Sequence, residues 1–335
     1  MNSLLNRLAT WDNLLAALTV AFFTVAAIAV PIFANAFNLS QAAAGFSEKA
    51  LLVLPMVLLI IAREIDLSVA SILALSSVVL GVLIEAEVPL ALAILIVLAV
   101  GGLAGSFNGF LVTRLNLPSL VVTLGTLAMF RGIGYIILGS ASVNKLPSQL
   151  TDFGINNIPG TPVPWTVVPF IILAPISAII LQHTATGRRI YAIGGNPDAA
   201  LYSGIDLRGL RFRLFVVSGL ISALAGIVLT ARLSNARANN ALGFELDVIT
   251  IALLGGVSVF GGRGKLTGVL WALILVASVR NVLGLNQIGG DAQGIVIGLL
   301  LIVALLLGNT VERLLEGVSK PRIINLNSNQ ERRTP

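Results

Sequence analysis

Long apolar runs, each about as long as a membrane crossing, alternate with short polar segments along this chain. A hydrocarbon core about 30 Å thick needs about 20 helical residues, and the runs of that kind predict ten crossings. They lie at residues 14–34, 49–62, 67–85, 88–111, 118–139, 165–182, 211–231, 246–260, 266–284 and 291–309. The pattern therefore predicts an all-α polytopic membrane protein, in which residues 14–309 form one transmembrane domain between terminal segments 1–13 and 310–335.

The basic residues are unevenly shared between the two sides of this predicted bundle. An even number of crossings puts both termini on one side, which then carries fifteen Arg and Lys residues against four on the other. Lys and Arg are enriched in cytoplasmic loops, so both termini are predicted to be cytoplasmic. This distribution explains the net charge of +6 without a nucleic-acid partner.

Residues 183–213 form the longest polar connection on the predicted cytoplasmic side. Within it, Asn196 can cap a helix, Pro197 suits the first helical position, and Asp198 faces the positive end of the helix dipole. Gly204 can adopt the left-handed turn that ends a helix. A helix of about two turns is marginal on its own, so we expect either the membrane bundle or a groove on another protein to hold it.

Two acidic signatures suggest an internal duplication. Glu64 to Leu67 and Glu245 to Val248 each precede an apolar run, and Asn108 and Asn281 follow one helix later. The spacings are 181 and 173 residues. In the predicted topology the two halves run in opposite directions, as in the inverted repeats of many transporters, although short signatures also recur by chance.

Several charges are predicted to lie at membrane depth. Arg63, Glu64 and Asp66 fall in a tight segment between two crossings. Arg63 is expected to pair with Glu64 or Asp66, or the three charges line a permeation path, and the two arrangements are compatible. Arg131 lies near the middle of a crossing, and either hydrogen-bonds another helix or lines the path. Arg280 is closer to a helix end, so we expect its side chain to extend to the interface.

The residues that enzymes and nucleotide-binding proteins need are missing. His183 is the only histidine and there is no cysteine, so no metal or thiol chemistry, cofactor or catalytic residue is predicted. The stretch from Val259 to Leu266 resembles a phosphate-binding loop, but it lacks the first Gly and the Ser or Thr that follows Lys265. If ATP powers transport, another polypeptide must bind it.

A series of motifs runs in order from residue 50 to residue 310. It comprises Ile65 to Val69 (I-D-L-S-V), Asn108-Gly109, Thr123 to Thr126 (T-L-G-T) with Arg131-Gly132, Thr186 to Arg188 with Ala192 to Asn196, and Glu245 to Asp247. The series resembles the inner-membrane permease subunits of ribose-, xylose-, arabinose- and autoinducer-2-type ABC importers. Arg63 and Glu64 stand where that family has two glycines, and the R-E-I-D-L-S-V-A-S form is similar to its rhamnose branch.

The resemblance implies a type II ABC importer fold in the bacterial inner membrane. It also implies a homo- or heterodimer of permeases, a cytoplasmic ABC ATPase, a periplasmic sugar-binding protein, a monosaccharide substrate and surrounding membrane lipids. The expected substrate-pathway residues are Glu64, Asp66, Asn108, Thr123, Thr126, Arg131, Glu245 and Asp247. The expected ATPase-coupling residues are Gly187, Arg188, Asn196, Pro197, Asp198, Ala199, Ala200 and Gly204.

Other transporters remain open alternatives. A branched-chain amino acid or nucleoside ABC permease would have a similar architecture. An ion-coupled secondary transporter would also use inverted repeats and buried acids such as Asp66 and Asp247. Because the predicted crossings offer few polar groups, a sugar is expected to bind weakly, with selectivity residing in the binding protein.

Overall fold

The computed structural model describes residues 11–290 and 292–303. Within them the chain is nearly all helical, with isolated β-bridges and no strands. The helices are α1 (Trp11–Ala29), α2 (Ala36–Ile61), α3 (Val69–Glu85), α4 (Leu90–Thr113), α5 (Ser119–Leu138), α6 (Ser148–Ile155), α7 (Val168–His183), α8 (Ala185–Gly195), α9 (Pro197–Tyr202), α10 (Leu207–Leu233), α11 (Phe244–Leu254), α12 (Leu266–Leu285) and α13 (Ala292–Val303). Most of the predicted terminal segments 1–13 and 310–335, and the end of the tenth predicted crossing, lie outside the described residues.

Seven of the described helices are long and apolar enough to cross a membrane. They are α1, α2, α4, α5, α7 (with the 3₁₀ turn Trp165–Val167 before it), α10 and α12. The shorter apolar helices α3 and α13, together with α11, coincide with the other three predicted crossings. The prediction of a polytopic all-α membrane protein is confirmed.

The predicted start of the second crossing, residue 49, is wrong. Helix α2 begins at Ala36, with Asn35 as its N-cap, and Glu48 and Lys49 lie inside it. Both charged side chains are buried and paired with other helices. Because those partners are distant in sequence, the local hydropathy of residues 36–49 made the predicted crossing begin too late.

The helix order supports the predicted duplication. Helices α2, α3, α4 and α5 start at residues 36, 69, 90 and 119, and α10 to α13 start at 207, 244, 266 and 292. The equivalent starts are therefore offset by 171 to 176 residues. Left-handed residues also recur at an offset of 171, with Arg63 matching Ser234, and Asn116 matching Gln287.

Two ion pairs show that the repeats run in opposite directions. Glu64, just beyond the end of α2, pairs with Arg211 in the first turns of α10. Glu48, near the middle of α2, pairs with Arg232 in the last turn of α10. The equivalent helices α2 and α10 are therefore antiparallel neighbours at the centre of the bundle, as an inverted repeat requires.

Glycines allow α4 and α10 to approach closely. A Cβ atom on Gly105 would lie 2.3 Å from the carbonyl oxygen of Phe215, and one on Gly219 would lie 2.1 Å from that of Gly101. Such close backbone approach is the usual reason for small residues between membrane helices. This contact fixes α4 against α10 and so positions Asn108, one turn further along α4.

Candidate transport path and coupling segment

Asp66 is the centre of a buried polar network at the break between α2 and α3. Its Oδ1 accepts hydrogen bonds from the backbone N–H and hydroxyl of Ser68, at 3.0 and 2.6 Å, and its Oδ2 accepts one from Ser218, at 2.8 Å. Asn108 donates to the Ser68 hydroxyl at 2.8 Å. Asp66 is fully buried, so in this conformation its carboxylate links α3, α4 and α10.

Neither proposed pairing of Arg63 is formed. Glu64 makes its ion pair with Arg211, with 3.0 Å between Oε1 and Nε. Arg63 instead donates from Nε to the carbonyl of Phe260 and from a terminal nitrogen to that of Gly195, at 2.7 and 3.0 Å. The alternative that Arg63 pairs with Glu64 or Asp66 is therefore wrong.

Thr123 and Thr126 lie on the buried side of α5. The Thr123 hydroxyl donates to the carbonyl of Ser119 at 2.8 Å and also lies 3.2 Å from the carbonyl of Ile65. The Thr126 hydroxyl is 3.5 Å from the carbonyl of Thr123. With Glu64, Asp66 and Asn108, these residues form one group around the break between α2 and α3.

Arg131 crosses from α5 to the segment between α10 and α11. Its guanidinium donates to the carbonyls of Ala238, at 2.8 Å, and Asn240. A terminal nitrogen also donates to the carbonyl of Ala70, in the first turn of α3, at 3.5 Å. Of the two alternatives from the sequence, the structure shows hydrogen bonding to another helix, and to a loop as well. Arg131 also lies close enough to Glu245 for their charges to interact, and with Glu245 and Asp247 it forms a second group.

Asp247 belongs to an ionic cluster in this second group. Lys49 Nζ lies 2.7 Å from Oδ2, and a terminal nitrogen of Arg280 lies 2.6 Å from Oδ1. Lys49 also lies 4.4 Å from the centre of the Phe244 ring. The prediction that Arg280 extends to the interface is wrong, because its side chain turns to the partly buried Asp247.

The eight predicted pathway residues thus form two groups rather than one continuous lining. Most of their polar atoms are occupied within the protein. Exceptions are Asn108 Oδ1 and Glu245 Oε2, which are buried and have no hydrogen-bond partner among the described residues. Sequence reasoning missed Glu48, Lys49 and Arg232, although a charge inside a membrane helix is itself a signal that a partner exists.

Residues 183–213, which we call the candidate coupling segment, contain the short capped helix that their sequence predicts. Asn196 Oδ1 accepts from the backbone N–H groups of Asp198 and Ala199, both at 3.1 Å. Gly204 follows with a φ of 80°. Ala200 is buried, whereas Leu201 and Tyr202 are 58% and 91% exposed. One side of α9 packs against the rest of the protein, and the other side exposes apolar surface.

Helix α8 precedes α9, and it also packs by way of glycines. The hydroxyl of Thr184 caps its first turn by accepting from Gly187, where a Cβ would lie 1.9 Å from the carbonyl of Leu181. Arg188 is exposed on the next position. The Tyr191 hydroxyl donates to the carbonyl of Gly264 at 2.6 Å, and burial raises the pKa of this hydroxyl.

The end of α8 is fixed against the end of α2 at what we call the Arg63 junction (Ile61, Arg63, Gly195, Phe260 and Gly262). The Gly262 N–H donates to the Ile61 carbonyl at 2.8 Å, and the two Arg63 hydrogen bonds reach Phe260 and Gly195. Arg63 has a left-handed φ of 63°. The junction joins α2, the candidate coupling segment and the loop before α12. Arg63 precedes Asp66 by three residues.

Comparison with known proteins defines the class. Residues 38–305 match the family described as branched-chain amino acid transport system, permease component. The chain therefore belongs to this permease family and is a transport component rather than an enzyme.

Three relatives of this chain are named for sugars. The D-allose transport system permease protein of Escherichia coli is 35% identical over 90% of this chain and 93% of its own length. The L-arabinose transport system permease protein of Escherichia coli is 34% identical, over 88% and 90%. The ribose import permease protein of Haemophilus influenzae is 32% identical, over 83% and 87%. No solved structure matches the chain.

Proposed function

We propose that this chain is the membrane subunit of an ATP-binding-cassette importer that carries a monosaccharide across the bacterial inner membrane. Relatives named for ribose, arabinose and allose support a sugar, whereas the family description alone would fit an amino acid. Within the sugars we propose a pentose or a deoxyhexose such as rhamnose, since the motif around Asp66 resembles the rhamnose branch.

The observation that carries this proposal is the fixed coupling segment. Helix α9 exposes Leu201 and Tyr202, while the Arg63 junction joins the preceding helix to the end of α2. A cytoplasmic ABC ATPase that binds α9 would therefore move α2 and the break that holds Asp66. The proposed coupling residues are Gly187, Arg188, Asn196, Pro197, Asp198, Ala199, Ala200 and Gly204.

The substrate is proposed to pass both groups of predicted pathway residues. Asn108 Oδ1 and Glu245 Oε2 retain unused acceptor capacity for sugar hydroxyls. The other proposed pathway residues (Glu64, Asp66, Thr123, Thr126, Arg131 and Asp247) must exchange present partners before they can contact a substrate. With few free polar groups, the permease binds sugar weakly, and a periplasmic binding protein selects it. We propose that a second permease copy, identical or related, completes the path.

Reconstitution tests the proposal directly. The purified permease, its co-expressed ATPase and its binding protein would be placed in liposomes, and uptake of rhamnose, ribose, arabinose, allose and leucine measured with ATP on the ATPase side. We expect ATP-dependent uptake of one sugar and none of leucine. Leucine or nucleoside uptake would contradict the sugar assignment. Uptake driven by an ion gradient without ATP would contradict the class of importer.

A further inference from the structure

A cavity of about 670 Å³ opens where α4 ends and α10 begins. Phe110, Thr113 and Arg114 line it from α4, and Arg208 and Phe212 line it from α10. Asp206, the N-cap of α10, also lines it. It belongs to neither group of pathway residues, and it lies on the same side of the bundle as the coupling segment.

The charge in this cavity is incompletely neutralised. Among the described residues, no hydrogen bond or ion pair is formed by the side chain of Arg114 or Arg208. Asp206 Oδ1 already accepts from the Gly209 N–H at 2.9 Å, which caps α10. Two arginines and one carboxylate leave a positive cavity that suits an anionic group.

The cavity is also amphipathic. Phe110 is 49% exposed, and Phe107 and Leu103, on the same face of α4, are exposed further along the helix. This stripe leads from the arginines towards the middle of a membrane-crossing helix. A ligand that fits both parts has an anionic head and long apolar chains.

We propose that this cavity binds the phosphate headgroup of an anionic phospholipid, with Arg114 and Arg208 contacting the phosphate and an acyl chain lying along Phe110, Phe107 and Leu103. Basic pockets between membrane helices on the cytoplasmic side bind such headgroups. A phosphate ion alone would leave the apolar stripe unused, and an acidic segment of a partner protein would not reach along α4 into the hydrocarbon.

Lipid binding to the purified, delipidated full-length permease tests this site. Native mass spectrometry would count dioleoylphosphatidylglycerol and dioleoylphosphatidylcholine bound across a titration. We expect one phosphatidylglycerol to bind preferentially, and the Arg114→Gln/Arg208→Gln variant to bind it about tenfold more weakly or worse. Arg114→Lys/Arg208→Lys keeps the charge without the planar guanidinium and should lose less.

The matched control is Arg189→Gln/Arg263→Gln, which removes two exposed arginines of the coupling side outside the cavity. This control should keep the preference for phosphatidylglycerol. Unchanged affinity in the cavity variant, or an equal loss in the control, would overturn the site. Competition by inorganic phosphate at similar concentration would show an ion site, and displacement by the ATPase partner would show a protein contact; either result would also overturn the proposal.

Discussion

The Arg63 guanidinium donates a hydrogen bond of 3.0 Å to the carbonyl of Gly195, the last residue of α8. This contact joins the end of the central helix α2 to the helix that precedes α9. Gly194 makes the approach possible, since a Cβ there would lie 1.7 Å from the carbonyl of Ile61. We propose that a force on α9 would reach α2 through these backbone contacts as well as through the Arg63 side chain.

Replacing Arg63 with glycine should uncouple transport from ATP hydrolysis without impairing folding. Glycine readily adopts the φ of 63° found there, but the hydrogen bonds to Gly195 and Phe260 are lost. One hydrogen bond to a charged group is worth at least about 1.5 kcal/mol, a factor of roughly ten, so we expect sugar uptake per ATP to fall at least about tenfold. Uptake and ATP hydrolysis would be measured together in proteoliposomes.

Arg63→Lys provides the comparison for that experiment. Lysine retains the charge but cannot direct two fixed N–H groups at two carbonyls, so an intermediate uptake per ATP is expected. If Arg63→Gly transports with the same ratio as the unchanged protein, the junction is a structural contact without a part in coupling.

Helix α9 should be required for binding the ATPase. Tyr202→Asp places a charge on the exposed apolar end of α9 and should reduce the amount of ATPase that co-purifies with the permease by about tenfold or more, the scale of a lost interface hot spot. Deletion of residues 196–204 should abolish uptake while the protein still inserts.

Ser203→Ala is the control for α9. The hydroxyl of Ser203, the residue after α9, donates to the carbonyl of Ala199, so its loss leaves the exposed apolar side of the helix unchanged. This variant should bind the ATPase normally. Normal ATPase binding by Tyr202→Asp would instead exclude α9 as the docking helix.

Local chemistry was enough to predict α9, since the Asn196 cap and the turn at Gly204 depend on adjacent residues. The start of α2 could not be predicted in this way, because Glu48 and Lys49 are tolerated only through partners about 180 to 200 residues away. The hydrogen bonds of Arg63 could not be predicted either, because their acceptors are backbone carbonyls, which every residue provides. Sequence thus predicted the crossings and the repeat better than the polar contacts between them.

Close packing of α4 on α10 should make Gly105 intolerant of substitution. In Gly105→Ala the new Cβ would lie 2.3 Å from the Phe215 carbonyl, which forces the helices apart at a cost of about 1–3 kcal/mol. The lower stability would be measured as a reduced midpoint of thermal unfolding in detergent. Gly125→Ala on α5 has no atom within 4 Å of its new Cβ and should leave the midpoint unchanged or higher. Equal behaviour of the two variants would contradict the packing.

Asp247→Asn should strongly destabilise the folded protein. The carboxylate neutralises both Lys49 and Arg280 at 2.7 and 2.6 Å, and an amide would leave both of these largely buried cations without their ion-pair partner. Breaking a buried pair in this way costs about 3–5 kcal/mol, measurable as a loss of folded protein during unfolding in denaturing detergent. Asp152→Asn removes an exposed acid from α6 and should change stability by no more than about 0.5 kcal/mol. If Asp247→Asn is as stable as Asp152→Asn, then Lys49 and Arg280 do not depend on Asp247, and the cluster does not hold α11 between α2 and α12.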